Sequence, residues 1–494
     1  MGKLKFSPFV KQCIIVTAVC SNIVCNIGFV FGFPGILLPA LHQRDSDIPL
    51  TNVEDSWIAS IISIGMLIGN FVVSSIMDRY GRKAAQISSS LPAIVGWFVI
   101  ALAVNAEMLI LARFLQGVSI GFTLPLRSVL IAEYVSPKYR GGFLTTLSLA
   151  RGVGVFLIHL MGSLISWQRT SVVCGVLAFL GLVISFYLPE SPSWLAVKGK
   201  YEECRKAFRW IRGDDEEKEL EELIQSRIEF KEDLENKGQH VNRLKLIKTV
   251  IFKKEFYKPI IIITHCYLMV QVCGNATMPA FSVQILSAMM GPKAKAHVWM
   301  VILDSLRTVA NIAAIFMIHR FKRRTILFAT GGLCTLVHIS IAGYVYAKMN
   351  NLLIYDAQWI SGSLVILQFL CIGLGMIPMP TVIAGEVIPL EFRSIISSVS
   401  AVVVAAFMFA VLKTFPLLVD SVYLYGTYAI YSSVLTYTLV VLWILLPETS
   451  GKTLQQIEIE LKGKDFRNED LEAKVNLKSE HVEENENGTA RRKE

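Results

Sequence analysis

Residues 77–83 read MDRYGRK and lie between two long apolar runs, and residues 318–324 read IHRFKRR and lie between two others. Each neighbouring run is roughly 18 residues or longer, enough for one helix to cross a hydrocarbon core about 30 Å thick. The whole chain is 53% hydrophobic and 18% charged, whereas soluble proteins usually carry about 25% charged residues. The sequence therefore predicts a membrane protein whose short basic segments join transmembrane helices.

Twelve apolar runs follow one another along the chain. They cover residues 14–38, 56–76, 84–104, 108–131, 143–165, 171–188, 259–285, 297–318, 325–346, 359–385, 395–418 and 423–446. The predicted fold class is an all-α membrane protein with twelve transmembrane helices in two six-helix bundles. We expect a cytoplasmic N-terminus at 1–13, a first bundle at 14–198, a cytoplasmic helical linker at 199–256, a second bundle at 257–450 and a cytoplasmic tail at 451–494.

The two halves of the chain carry the same marks in the same order. These marks are the segments at 77–83 and 318–324, the pairs Glu133/Arg140 and Glu386/Arg393, and the Pro-Glu steps at 189–190 and 447–448. Their order indicates an internal duplication. In carriers built from repeats, the binding site lies between the halves near the membrane midplane.

Basic residues are concentrated in alternate connections, namely the N-terminal residues 3–11 and the segments at 77–83 and 318–324. Because cytoplasmic loops are enriched in Lys and Arg, these connections and both termini are predicted to be cytoplasmic. Lys293 and Lys295 run against the pattern. The expected location is the cell membrane, as a multi-pass protein.

Other classes of protein are poorly supported. The net charge of +9 is distributed as a topology signal, so nucleic acid is not expected as a partner, and the nine cysteines are dispersed as packing residues. The chain has no metal-ligand spacing, nucleophile elbow or phosphate loop. We therefore predict no enzyme activity and no cofactor; the expected partners are a small-molecule solute and the lipid bilayer.

The motifs resemble those of the sugar porter family of the major facilitator superfamily over essentially the whole chain. Residues 78–83 are similar to the family's loop motif, residues 113–114 to its fourth helix, and residues 189–192 and 447–449 to the motifs that end each half. Residues 413–415, Lys-Thr-Phe, resemble the insect facilitated trehalose transporters within that family. The resemblance implies a carrier of a hexose or a trehalose-like sugar.

The resemblance also implies where a solute would bind, although most of those positions carry different residues here. The positions are Ser148 in helix five, Gln271 and Ala276 in helix seven, Arg307 in helix eight, Thr381 in helix ten and Ala405 in helix eleven, with Asn275 as a candidate replacement beside Ala276. Only Gln271 keeps the family's residue. Most of the amides and the tryptophans expected in a hexose site are missing.

The repeated marks place acids and bases at the predicted cytoplasmic helix ends. We expect these residues to form a charged latch that holds the two bundles together on that side, and simple positive-inside anchoring is the alternative. The candidate latch residues are Asp78, Arg79, Arg82, Glu133, Arg140, Glu190, Arg320, Glu386, Arg393 and Glu448.

Ionisable residues inside the predicted helices are functional candidates, because an unpaired charge in the membrane is costly. They are Arg127, Arg151, Asp304, Arg307 and Lys413. Asp304 and Arg307 are three residues apart on one helix, so they either pair with each other or leave Arg307 facing the cavity, where it would favour an anionic solute. His159, His265 and His338 are interpreted as packed, neutral side chains.

Helix one carries Val30 at the position where the proton-coupled members of this family have an aspartate. The prediction is therefore facilitated diffusion of a sugar by alternating access. The alternatives are a non-transporting sugar sensor on a transporter scaffold and a carrier of an organic anion or a proton-coupled sugar.

Overall fold

The structure is a computed structural model that describes residues 7–43, 48–213, 216–237, 254–291, 295–353, 355–388 and 393–450, with residues 452, 456, 457 and 460. The first half contains α1 (Pro8–Leu41), α2 (Asn52–Tyr80), α3 (Arg82–Ala101), α4 (Ala106–Tyr134), α5 (Pro137–Leu164) and α6 (Trp167–Phe186). The second half begins with α7 (Phe256–Met290), α8 (Ala296–Arg320), α9 (Arg323–Met349) and α10 (Gln358–Val387).

The last apolar helix is continuous by hydrogen bonding but forms two crossing segments. It runs from Arg393 to Leu445, 53 residues, or about 80 Å at 1.5 Å per residue, far more than one membrane crossing needs. Tyr423 breaks it, because its backbone is left-handed at φ 59°. We call the parts α11 (393–422) and α12 (424–445). The described chain thus has eleven apolar helices of spanning length, and the break raises the crossings to the predicted twelve.

Local sequence signals fix where several helices begin and end. Thr51 and Glu54 form a reciprocal capping box at the start of α2, which satisfies two backbone donors that have no partner inside the helix. Gly81 separates α2 from α3 with a φ of +98°, a conformation that glycine adopts without a steric penalty. Asn105 caps α4 by accepting a hydrogen bond from the Met108 amide at 2.9 Å.

Three helices are interrupted near their middle by wider, π-helical turns. These turns are residues 24–28 in α1, 271–275 in α7 and 372–376 in α10. In α7 the interruption is sharpest, since Gly274 has a φ of +104°. Such turns are often found at functional sites.

Each half is a bundle held together by close helix contacts, and the halves meet along a few helices. In the first half, α4 packs against both α2 and α3, and α3 packs against α6. Between the halves, α2 packs on α11, α5 on α8, and the end of α1 on the end of α7. The core is therefore two packed units with a long interface between them.

Between the halves, three described helices form a small separate unit: Pro192–Val197, Tyr201–Arg212 and Glu217–Lys237. Leu195, Phe208 and Leu220 belong to its own apolar cluster, and ion pairs such as Arg212–Glu219 at 2.6 Å cover it. The Arg212 side chain also donates to the carbonyl oxygen of Val135 at the end of α4, at 3.1 Å. This contact fixes the unit against the first bundle. Residues 238–253 of the predicted linker and 461–494 of the predicted tail lie outside the described residues.

The contact between α2 and α4 depends on a glycine at residue 117. A Cβ at this position would lie 2.3 Å from the carbonyl oxygen of Ile62, so Gly117→Ala would force two backbones apart. We expect this substitution to lower stability by about 1–3 kcal/mol, the usual cost of overpacking. The midpoint of thermal unfolding in detergent measures the effect. Gly332→Ala is the matched control, because no heavy atom lies within 4 Å of its added Cβ; equal midpoints for both variants would contradict the prediction.

Candidate functional site

A cavity of about 560 Å³ lies between the two halves, within the usual size range of small-molecule sites. Its lining comes from α1, α2, α4 and α5 of the first half and from α7, α10 and α11 of the second. Two of the three interrupted helices contribute at their interruptions, through Ile27 in α1 and Asn275 in α7. The cavity is therefore central and is shared by both bundles.

The cavity extends from the middle of the helices towards one end of the molecule. Its lining includes Ser397 near the start of α11 and Ile388 just beyond the end of α10. These helix ends lie on the side where α1 begins at Pro8 and α12 ends at Leu445, which we call the terminal side. The other side, where α1 ends and α2 begins, is called the opposite side.

The deep part of the cavity presents polar groups to a solute. Gln271 is 3% exposed, and its Oε1 has no hydrogen-bond partner among the described residues. The Asn275 Oδ1 accepts a long hydrogen bond of 3.5 Å from the Arg151 side chain. Ser148 and Thr381 add hydroxyl groups to the lining. An unpartnered buried amide oxygen is costly unless a ligand satisfies it, so this region is suited to a molecule with hydrogen-bond donors.

Four of the seven predicted binding positions line the cavity and three do not. Ser148, Gln271, Asn275 and Thr381 are on its surface. Ala276 and Ala405 are packed among neighbouring side chains at 1% and 2% exposure. The Arg307 guanidinium lies 2.9 Å from an Asp304 carboxylate oxygen, so of the two interpretations of Arg307 the structure shows the pairing.

Phe31, Asn70 and Tyr267 are among the lining residues that the sequence analysis did not identify. Phe31 of α1 and Tyr267 of α7 supply aromatic surface to a cavity that lacks the family's tryptophans of α10 and α11. Tyr267 precedes Gln271 by four residues, so both lie on one helix face. The four-residue spacing from Gln271 was therefore the sequence signal that could have identified Tyr267 as a lining residue.

On the opposite side, a buried charged cluster joins the two halves. His159 of α5 is hydrogen-bonded through Nδ1 to the Asp304 carboxylate of α8, and the same carboxylate pairs with Arg307. His159 and Asp304 are 1% and 2% exposed, and the His159 Nε2 lies 2.9 Å from the Gly32 carbonyl oxygen. His159 is thus packed, as expected, and it also makes a hydrogen bond to an acid across the interface that the sequence did not indicate.

Further contacts close the same side between α2 and α11. The Lys413 ammonium donates to the Ser56 hydroxyl at 2.8 Å and lies 3.9 Å from the centre of the Trp57 ring. The Asn52 amide donates to Asp420 at 2.9 Å. Together with the Asp304 cluster, these contacts hold the halves together on the opposite side while the cavity reaches the terminal side.

On the terminal side, charged clusters lie within each half. Arg82 donates to Glu133 through Nε and Nη2, both at 2.8 Å, and the Arg82 amide donates to Glu190 at 2.8 Å. In the second half the Arg323 guanidinium lies 3.3 Å from Glu386, and the Arg323 amide donates to Glu448 at 3.1 Å. These clusters fasten the loops to their own bundle.

Arg323, which was not among the predicted latch residues, is the counterpart of Arg82, whereas the predicted Arg320 corresponds to Arg79. Each of the two donates to the carbonyl oxygen five residues before it, Met77 or Ile318. This correspondence can be read from the sequence, because aligning residues 77–83 with 318–324 pairs Arg82 with Arg323.

Among the remaining latch candidates, Asp78, Arg79 and Arg320 make no ion pair with another described side chain. The Asp78 carbonyl oxygen accepts from the Trp194 indole at 3.2 Å, and Arg79 lies over the Tyr80 ring at 5.4 Å. The side chains of Arg140 and Arg393 lie outside the described residues. Within the described part of the chain, no terminal-side ion pair joins the two halves in this conformation, so a latch between the bundles stays a prediction.

The Asp304 cluster generates a prediction about conformation. Asp304→Asn removes the charge that compensates Arg307 and weakens the contact with His159, and breaking a buried pair in this way typically costs about 3–5 kcal/mol. We expect the equilibrium to move away from closure on the opposite side.

The measurement is the distance between spin labels on Leu164→Cys and Leu352→Cys, which are exposed in different halves on that side. Cys13 and Cys20, the partly exposed native cysteines, are first replaced by serine. Longer distances are expected for Asp304→Asn and not for the control Asp420→Asn, an exposed contact between the same halves. Identical distance distributions for all three proteins would contradict the role assigned to Asp304.

Comparison with known proteins places this geometry in context. The family model described as "Sugar (and other) transporter" matches residues 9–461. The facilitated trehalose transporter Tret1 of Bombyx mori is 25% identical over 445 residues, covering 88% of this chain and 84% of the relative. Tret1 of Culex quinquefasciatus is 25% identical over 441 residues, covering 89% of this chain and 83% of the relative.

Solved structures share the architecture. The xylose transporter XylE from E. coli, in a partially occluded inward-open conformation, aligns with a TM-score of 0.71 at 15% identity, covering 90% of this chain and 100% of that one. This similarity confirms the predicted fold of two six-helix bundles.

Proposed function

Because the chain belongs to the sugar (and other) transporter family, we propose that it carries a sugar across a membrane by facilitated diffusion, with the cavity exposed alternately to the two sides. The relatives named above are facilitated trehalose transporters, so a trehalose-like sugar or a hexose is the first solute to test. Transport, rather than catalysis of a reaction, is then the activity of the chain.

The observation that carries this proposal is the asymmetry of the central cavity. Its lining reaches the terminal side, whereas on the opposite side both bundles meet through the Asp304 cluster and the Lys413 contacts. A carrier needs a site that is open to one side and closed to the other. A rocking motion of the two bundles around a fixed site would exchange the open and closed sides.

The chemistry of the cavity suits a sugar. A sugar presents hydroxyl groups around its ring and an apolar face. Gln271, Asn275 and Ser148 can hydrogen-bond hydroxyls, and Phe31 and Tyr267 provide aromatic surface. This set differs from the family's usual residues but supplies the same two kinds of contact.

Facilitated diffusion is proposed over proton coupling because of the residues in α1 and around the cavity. Val30, at the position where proton-coupled members have an aspartate, carries no ionisable group, and the described cavity lining includes no aspartate or glutamate. A proton-coupled carrier needs a group there that gains and loses a proton during the cycle.

We further propose that the terminal side is the cytoplasmic side of the plasma membrane, since the basic segments at 77–83 and 318–324 lie there. The conformation described here is then inward-facing. When the bundles rock to close this side, Asp78, Arg79 and Arg320 would form the latch between the halves.

The first test is uptake of labelled trehalose and glucose by cells that display the chain at their surface, with and without a pH gradient. Saturable uptake that does not respond to the gradient is expected. Surface display without uptake of either sugar would count against transport of a neutral sugar and favour the alternatives, a sensor or a carrier of an organic anion.

Gln271 provides a prediction about the binding site. Gln271→Ala removes one hydrogen bond worth about 0.5–1.5 kcal/mol, so the KM for a transported sugar should rise about three- to tenfold. Gln284→Ala is the control, because Gln284 faces a separate pocket on the opposite side. An unchanged KM for Gln271→Ala would show that Gln271 does not bind the solute.

Glu133 provides a prediction about turnover. Its carboxylate holds Arg82 and accepts from the Ser191 hydroxyl at 2.5 Å, so Glu133→Gln weakens the contacts that join α3, α4 and the segment that follows α6. We expect the maximal uptake rate to fall about tenfold, the factor that corresponds to about 1.4 kcal/mol, with little change in KM. Glu107→Gln, at the other end of α4, is the control, and equal maximal rates for the two variants would contradict the prediction.

A further inference from the structure

Two arginines line the central cavity, and their charges are not balanced by acids around it. Arg127 of α4 and Arg151 of α5 are both on its surface, and no aspartate or glutamate is among the described lining residues. A cavity adapted only to a neutral solute has no need of two cations, because each one is costly to hold inside a membrane.

Neither arginine is well satisfied within the described structure. The best contact of Arg151 is the 3.5 Å hydrogen bond from its Nη2 to the Asn275 Oδ1, and the Arg127 Nε has no hydrogen-bond partner. Guanidinium groups normally use most of their five donors when they are buried, so donors are left for a ligand.

Asp304, the nearby acid, does not pair with either cavity arginine. Asp304 is 2% exposed and pairs with Arg307 and His159. Its single negative charge is shared between these groups and does not reach the cavity surface, since Asp304 is not part of the lining. The cavity itself therefore carries excess positive charge in this conformation.

The positions of the two arginines suggest different tasks. Arg151 contacts Asn275 and thus lies beside the polar residues of the deep site. Arg127 is about two helical turns from the end of α4 at Tyr134, on the route from the terminal side. One cation is placed to bind a solute and the other to attract it on its way.

We propose that the solute of this carrier is an anionic sugar, a polyhydroxylated molecule with one carboxylate or phosphate group. Arg151 binds the anionic group, Gln271 and Asn275 bind hydroxyls, and Arg127 lowers the electrostatic cost of entry and exit. The planar fork of arginine matches both carboxylate and phosphate oxygens. This inference rests on the proposed transport function and specifies its substrate class.

The experiment uses the purified full-length chain in liposomes. Uptake of labelled glucuronate and glucose 6-phosphate is compared with uptake of glucose and trehalose, under imposed potentials of either sign. At least one of the two anions should be taken up about tenfold faster than either neutral sugar at equal low concentration, and faster when the interior is positive. The carboxylate and phosphate arms identify which anionic group is recognised.

Variants assign the effect to the cavity. Arg151→Gln should lower uptake of the preferred anion about tenfold, because a charge-assisted hydrogen bond is lost, and should lower any residual neutral-sugar uptake much less. Arg151→Lys keeps the charge and should retain part of the anion uptake. Arg169→Gln is the control, because Arg169 is exposed at the start of α6, away from the cavity.

Three results would overturn the inference. Neutral sugars carried as fast as the anions, with no response to potential, would leave the carrier intact and remove its anion preference. Equal loss of anion and neutral uptake in Arg151→Gln would assign Arg151 a structural role. Absence of transport for all four solutes would reject the proposed function itself.

Discussion

In a lipid bilayer every backbone amide and carbonyl must find a partner inside the protein, and this constraint governs the rest of the structure. It makes helices the only available element for this chain and forbids irregular backbone where lipid would touch it. The interrupted turns at 24–28, 271–275 and 372–376 are therefore confined to buried positions, and residues in these turns are mostly buried. Two of these turns border the central cavity, so the interruptions in the helices lie where a solute would bind.

The same low-dielectric surroundings explain the placement of charge. At the terminal-side helix ends, the Arg82 and Arg323 clusters are made within each bundle, which keeps each half rigid. Between the halves, the charges are few and specific: the Asp304 cluster closes one side, and Arg127 and Arg151 line the cavity. Rigid halves with a sparsely bonded interface are what a rocking mechanism requires, because only the interfacial contacts have to break and reform.

Much of the fold was predictable, because long apolar runs in a membrane protein have one structural solution. The twelve crossings and the paired halves follow directly from the runs and the repeated marks. The break at Tyr423 was not predictable from the sequence, since a tyrosine in a left-handed conformation is an exception to the usual preference for glycine. Two further features are encoded in the sequence register. The alignment of 77–83 with 318–324 specifies Arg323 as the partner of Glu386, and the four-residue spacing in α7 places Tyr267 on the helix face of Gln271.

The site was less predictable for a physical reason. Whether Arg307 faces the cavity or Asp304 depends on the rotation of α8 against α5, and the contact with His159 of the other half decides it. Contacts between halves are set by tertiary packing, which local spacing does not encode. The excess of positive charge in the cavity likewise becomes visible only when α4 and α5 are seen to face it together.

Counterflow tests the central claim, alternating access of one shared site, most directly. Liposomes that contain the protein are loaded with unlabelled solute, trehalose in one set and glucuronate in another, and are then diluted into a trace of the labelled solute. A carrier whose single cavity faces one side at a time should accumulate label transiently above the outside concentration, because unlabelled solute occupies the returning sites. A steady rise to equilibrium without overshoot in both sets would show a pore, and no entry of label in either set would show the absence of transport; either result would contradict the account.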